Sequence, residues 1–350
     1  LNDLTIEKFE RKTKNDGALA GYPTASVFSS TLNSDVADFY EKMGMRHSKV
    51  YYCFDGATAL MSAFLNVKYM YGDAEDALQN EACLTEEKLY TPLMQSGDII
   101  LYECNYTLPF GYVIPPGYEL PKIKTKEPLL LQNEIVKSLG ITGNLFTKEK
   151  VTQSGENVML EAKEDAYYYM VVTASGTAKI KAEGTFGIKD YKDLKHGGVL
   201  YVGYLQKGQQ VKFENADGED DTPTIKLAAY RMNTTVLRDL LDKLSKQHME
   251  NVICNSTHIE GQISLKEAGR VVLSVPYEEG WQVCVNGEKI ETGLFGECFM
   301  TVDLEPGNYN ITMDYEPKGH KEGLAISVIS IIAFFLLKLY AVAKQRKQKT

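Results

Sequence analysis

The C-terminal stretch GLAISVISIIAFFLLKLYAVAKQRKQKT, from Gly323 to Thr350, constrains the architecture more than any other feature of the chain. Gly323 to Leu337 carries no charge, and apolar character resumes after Lys338 as far as Ala343. At about 1.5 Å per residue, a helix of that length covers a bilayer core of roughly 30 Å. Lys338 lies near one end, so its aliphatic stem can return the ammonium to the headgroups. A basic tail follows, with Lys344, Arg346, Lys347 and Lys349 and no acidic partner. A buried core helix would need no such tail. The positive-inside rule places the tail in the cytoplasm and residues 1 to about 320 outside it, with the lipid bilayer as a partner.

The charge balance narrows the partners further. The chain has 38 basic and 47 acidic residues, a net charge of −9, and several of the basic residues sit in the tail. The remainder is therefore more acidic than the whole, which excludes a nucleic-acid binder. An acidic region of this size must be carried across the membrane, yet LNDLTIEKFE offers neither an initiator methionine nor a signal sequence. The chain is expected to be the C-terminal part of a longer protein. Its six cysteines show no CxxC pair or regular spacing, so no disulfide framework is expected. Only Cys284 and Cys298, on neighbouring expected strands, are candidates for a pair.

The fold class reads as α+β with β predominant. Residues 1–148 form an α+β region. Within it SDVADFYEKM (Ser34 to Met43) is a helix capped by Ser34 or Asp35 and stopped by Gly44, and Ala57 to Leu65 is a second helix feeding a strand from Val67 to Tyr71. LPFGYVIPPGYELP carries too many prolines and glycines for regular structure, and QNEIVKSLG is a short helix ending at Gly140. Residues 149–232 alternate as strands NVMLEA, AYYYMVVTA, TAKIKAEG, GVLYVGYL, QQVKFEN and TIKLAAYRM, an antiparallel β-sandwich. A linking helix at 233–250, capped by Asn233 or Thr234, puts Val236, Leu237, Leu240, Leu241 and Leu244 on one stripe. Residues 251–318 read as a small Ig-like β-sandwich, with Trp281, Val283 and Val285 facing one way and Asn286-Gly287 as a hairpin turn. The transmembrane helix at 323–343 and the basic tail at 344–350 complete the chain.

Familiar catalytic signatures are missing. The sequence has no P-loop, nucleophile elbow or HExxH, and its five histidines stand at no ligand spacing, so neither a metal site nor a particular cofactor is indicated. The acidic run Asp217 to Asp221 lacks EF-hand order and reads as a solvated hairpin tip. GYPTASVFSSTLN (Gly21 to Asn33) is different: it crowds hydroxyls from Tyr22, Thr24, Ser26, Ser29, Ser30 and Thr31 beside Asn33. Neutral donors and acceptors of this kind read sugar hydroxyls. They also satisfy the backbone of ordinary Ser/Thr-rich loops, and both readings stand at this level.

GYPTASVFSSTLN, then DFYEKMGM, FDGATALMSAFLNVKYMY, LPFGYVIP and LLLQNEIVKSLG, resembles the YfhO family of bacterial multi-span membrane proteins. YVGYLQKGQQV, PYEEGWQVCVNGEKI and VDLEPGNYNITMDYEPKGHKEGL continue the likeness in order to the last span. The resemblance implies a GT-C-type glycosyltransferase that moves a sugar from a polyprenyl-phosphate carrier onto a cell-envelope polymer such as teichoic acid. It implies that the catalytic residue lies upstream of Leu1, so none is assigned here and this piece alone is expected to be inactive. Tyr22, Ser26, Ser29, Ser30 and Asn33, with Asp55, Gln132 and Asn133, become substrate-facing candidates. They would stand where the extracytoplasmic region meets the upstream transmembrane region, the lipid-linked sugar and the envelope polysaccharide. The competing class is a non-enzymatic, membrane-anchored polysaccharide-binding ectodomain.

Overall fold

Strands dominate because most of the chain alternates apolar with polar residues between glycine, asparagine and aspartate turns. The computed structural model describes residues 8–10, 14–73, 88–122, 127–154, 157–216, 224–255 and 257–347. The acidic run at 217–221, Cys83 and the last three residues of the tail lie outside these.

In the N-terminal part, four helices pack over small sheets: α1 (Asp16–Ala20), α2 (Ser34–Met43), α3 (Ala59–Phe64) and α4 (Pro128–Ser138). Helix α2 buries Val36, Phe39, Tyr40 and Met43, the face its spacing dictates. Its cap is Asn33, whose side chain accepts from Asp35 N, and not Ser34 or Asp35. Gly44 ends it at φ 81°, where a Cβ would meet Val199 and Pro128 within 2.7 Å. Helix α3 starts two residues later than the sequence suggests because the Thr58 hydroxyl caps Met61 N.

The middle part is one 7-stranded antiparallel sheet that folds over itself. Its spine is a hairpin of two 19-residue strands, Ala166–Gly184 and Gly187–Leu205. The first strand pairs with Ile225–Met232 through its first half and with Gln210–Asn215 through its second. Sequence alternation suggested two strands with a turn at Ser175-Gly176. The chain instead bends there without leaving the sheet, since Ser175 N donates to Thr224 O at 3.1 Å and Thr224 N to Ser175 Oγ at 3.0 Å. The fold encloses Leu160, Tyr168, Met170, Val172, Ile180, Val202 and Phe213. Helix α5 (Thr234–Leu244), capped by Asn233, follows, with all five residues of its apolar stripe buried.

The last β unit has two layers. Glu250–Cys254, His258–Leu265, Gly307–Tyr315, Trp281–Val285 and Glu288–Ile290 form one sheet in that order; Gly293–Phe295, Phe299–Leu304, Gly269–Pro276 and Tyr112–Ile114 form the other. Ile259, Val271, Leu273, Val283, Val302, Ile311 and Met313 fill the space between them. Asn286 and Gly287 take φ 51° and 84°, the hairpin turn expected of that pair. Tyr112–Ile114 is an edge strand supplied by the proline- and glycine-rich segment expected to be irregular, pairing Val113 with Val271. The outer face of this sheet packs on the N-terminal helices: Phe39 meets Phe299 edge-on at 5.1 Å, and Phe64 stacks on Tyr112 at 6.0 Å. Cys284 lies half-buried on one sheet while Cys298 is buried against the N-terminal core, so the candidate disulfide does not form; all five described cysteines are thiols.

Helix α6 (His320–Lys347) leaves this unit. Its stretch His320–Ala341 is long and apolar enough to cross a membrane, and none of its apolar window is buried against the rest of the protein.

Candidate functional site

The residues singled out in sequence divide into joints and surface. Ser26, 2% exposed, accepts at Oγ from Phe54 N at 2.9 Å, which binds the Ser/Thr-rich stretch to the turn carrying Asp55. Gln132, fully buried, accepts from the Thr58 hydroxyl at 2.6 Å and donates to Met43 O at 3.2 Å, so α4 closes on the start of α3 and the end of α2. Asn133, also buried, donates to Phe146 O and accepts from Phe146 N, both at 2.7 Å. Ser26, Gln132 and Asn133 are therefore buried joints of this fold and not surface groups. Each satisfies polar groups that would be costly to bury unpaired, and each holds two segments together.

The others lie at the surface. Tyr22 and Ser29 are half-buried and Ser30 is exposed. Ser29 Oγ lies 3.1 Å from Thr31 Oγ1 and accepts from Thr31 N, a local turn that still leaves hydroxyls at the surface. Asp55 is half-exposed and accepts from Arg46 Nη1 at 2.8 Å; Arg46 N in turn donates to Asp55 O at 2.9 Å. Between them, burial and then the Asp55 carboxylate push the Cys53 thiol up to about 12, so it stays protonated and unreactive. Gly56 next door has φ 83°, and a Cβ there would lie 2.8 Å from Val199 O. Only glycine lets the Asp55 turn approach the central sheet so closely.

Asn33 has a different task. Beyond capping α2, it donates from Nδ2 to Tyr277 O at 2.9 Å and to Glu278 Oε1 at 3.1 Å. That loop is the root of α6: Glu316 N donates to Gly280 O at 3.0 Å, and Lys318 pairs with Glu279 at 2.7 Å just before the helix begins. The Ser/Thr-rich stretch thus ends on the collar of the apolar helix, 244 residues away in sequence from its contact there.

Sequence reasoning missed Arg46, Thr58, Asn15 and Glu278. Thr58 carried a signal, a hydroxyl just before an apolar helical run; Arg46, Asn15 and Glu278 act through pairings 9, 13 and 245 residues away that no local pattern marks. Two open concavities lie away from these residues: a groove of 490 Å³ lined by residues such as Asn286, Glu288, Glu291 and Tyr309, and a cleft of 240 Å³ between Tyr106 and Arg238. Among the described residues, no group of three His, Cys, Asp or Glu side chains is placed to hold a metal ion.

A family model described as bacterial membrane protein YfhO matches residues 5–166 and 157–327. A curated protein described as uncharacterized protein YfhO, from Bacillus subtilis strain 168, is 24% identical over 375 residues; the match takes in 94% of this chain and 42% of the relative. The chain thus spans well under half of that relative's length. Among solved structures, a GH2 beta-galacturonidase from Eisenbergiella tayi aligns at 10% identity and TM-score 0.17 over 46% of this chain and 29% of that one. A 7S globulin from Momordica charantia aligns at 12% identity and TM-score 0.14, over 50% and 79%. Scores this low carry no structural or functional argument.

Proposed function

The chain belongs to the YfhO family of bacterial membrane proteins, and from that premise we propose that it is the extracytoplasmic region and last span of a membrane glycosyltransferase. The longer protein would transfer a sugar from a polyprenyl-phosphate carrier to a cell-envelope polymer such as teichoic acid. The observation that carries the reading is the clip from Asn33 to Tyr277 and Glu278, which sets the hydroxyl-rich stretch at the root of α6, where a lipid-borne sugar would arrive. Tyr22, Ser29, Ser30 and Asp55 supply neutral and acidic hydrogen-bonding groups for a polyhydroxylated acceptor. The general base belongs to the upstream part, because transfer needs a carboxylate and a phosphate pocket close to the bilayer. Residues up to about 320 lie outside the cytoplasm, and the tail lies inside.

A second reading, a non-enzymatic polysaccharide-binding ectodomain, draws on the 490 Å³ groove in the C-terminal unit. There Asn286, Glu288 and Glu291 offer hydrogen-bonding groups and Tyr309 a ring face for sugars. The two are separated by supplying the longer protein, reconstituted in vesicles, with lipid-linked donor and envelope polymer. Transfer by the longer protein, none by residues 1–350 alone, and slower transfer in Tyr22→Phe, Ser29→Ala and Asp55→Asn variants of unchanged melting temperature are expected. Binding of polymer without transfer leaves the second reading.

A further inference from the structure

Three large apolar side chains stand in water on the same small platform: Leu19 at 86% exposure, Phe28 at 51% and Val50 at 40%. Isolated exposed hydrophobes are ordinary on protein surfaces, but these are tied to one another. Leu19 N donates to Asn15 O at 3.1 Å. The Asn15 side chain then grips both backbone groups of Phe28, accepting from its N at 2.8 Å and donating to its O at 3.2 Å. Ser29 N donates to Val50 O at 2.9 Å across the two-strand ribbon that pairs Phe28 with Tyr51. Phe28 is therefore held outward by fixed backbone contacts and is not a loose loop residue.

The platform lies close to the helix that enters the bilayer. Phe28 is five residues from Asn33, at most about 18 Å of extended chain. Asn33 is bonded to Tyr277 and Glu278 at the collar of α6. Tyr277, itself 43% exposed, is part of that collar. Tyrosines accompany the apolar tips, with Lys14 3.6 Å over the Tyr51 ring and Lys49 exposed beside Val50. Apolar tips, tyrosine rings and flanking lysines are the side chains that settle at a membrane interface: tips in the acyl region, rings at headgroup level, ammonium groups at the phosphates.

We propose that Leu19, Phe28 and Val50 dip into the leaflet facing the folded region, giving it a second membrane contact beside α6. The inference rests on the reading that α6 spans the membrane and holds the folded region against it. Two contacts fix a tilt where one helix leaves a swivel, so the hydroxyl-rich stretch between them is held at the lipid surface.

The test uses the full chain in phosphatidylcholine and phosphatidylglycerol vesicles with or without brominated acyl chains. Trp281 is the single tryptophan, so a Phe28→Trp variant in a Trp281→Phe background reports on one position. Bromination is expected to quench it several-fold more than an Ile188→Trp variant at the tip of the long hairpin. Leu19→Trp gives a second readout should Phe28→Trp fail to fold. Equally weak quenching at all positions, in protein that still floats with the vesicles, overturns the inference and leaves the anchored reading in place. Failure to float overturns the anchored reading itself. Quenching that disappears in the longer protein shows that upstream spans cover the platform and overturns the assignment to lipid.

Discussion

Asn33 joins two parts of the chain that no local rule connects, capping α2 with its carbonyl oxygen while its amide bonds the backbone of Tyr277 at 2.9 Å. One side chain thus sets a helix start and fixes that helix against the loop from which α6 departs. Loss of a cap costs about 0.5–2 kcal/mol and loss of a hydrogen bond about 0.5–1.5 kcal/mol. Asn33→Ala is expected to lower stability in detergent by roughly 2 kcal/mol by these terms. Asn33→Asp keeps the cap but loses the donor and faces Glu278, so it should fall between the two. Equal melts for Asn33→Asp and wild type would show that the amide contact contributes nothing.

The buried joint between Thr58 and Gln132 yields a prediction about additivity. Either partner removed alone leaves the other unsatisfied, at about 1–3 kcal/mol each. Thr58→Val with Gln132→Leu removes the bond between them together, so the double variant should cost clearly less than the sum of the single ones. Denaturant melts of the four proteins measure this coupling, and strict additivity would deny the bond.

Arg270 and Asp303 tie the edge strand to its sheet. Arg270 donates to both carboxylate oxygens of Asp303, at 2.8 and 2.6 Å, and to Tyr118 O at 2.9 Å in the segment after Tyr112–Ile114. The Arg270 hydrogen bond holds the Asp303 carboxyl below its usual 3.8. Since the folded value lies below the unfolded one, this stabilisation is complete above the unfolded value and is lost as pH falls through the folded value. Asp303→Asn should cost about 1 kcal/mol at neutral pH, given its partial exposure, and progressively less below about pH 4. A cost that persists unchanged into acid would contradict the ion pair.

The sign reverses at His258. Its Nδ1 lies 2.7 Å from Asp314 Oδ1, and that hydrogen bond raises the imidazole above its usual 6.5. The contribution is therefore present in full below 6.5 and is lost as pH rises through the raised folded value. His258→Gln is expected to lower the melting temperature at mildly acidic pH and to match wild type in alkali. A nuclear magnetic resonance titration of His258 placing its pKa below 6.5 would remove the basis for this.

How far the sequence could be read depended on the range of the interaction. Helices α2 and α5 were legible because their stripes, such as Phe39, Tyr40 and Met43, repeat within a few residues. Asn286-Gly287 named its own turn for the same reason. Tyr112–Ile114 was hidden, since a three-residue edge strand among prolines is defined only by its partner at Arg270 to Val272. The same limit governs the candidate site. A polar side chain reads alike whether it meets a sugar or a distant backbone carbonyl, so Gln132 and Asn133 could not be told from Ser30 until Met43 and Phe146 were placed beside them.

The last prediction concerns sidedness. Helix α6 carries Lys338, Lys344 and Lys347 toward its C-terminal end, whereas at its start Lys318 pairs with Glu279 and Lys321 with Glu316. Net positive charge in the sequence is thus concentrated at one end, which the positive-inside rule assigns to the cytoplasm. A reporter active only in the cytoplasm should work when fused after Thr350 and fail when inserted at Gly187, the exposed turn of the long hairpin. A reporter active only outside should show the reverse. Substituting Lys344, Arg346, Lys347 and Lys349 by Gln should weaken the bias by removing the charges on which the rule acts. Cytoplasmic activity at both positions would mean that α6 does not cross the membrane and that its exposed apolar surface is covered by protein.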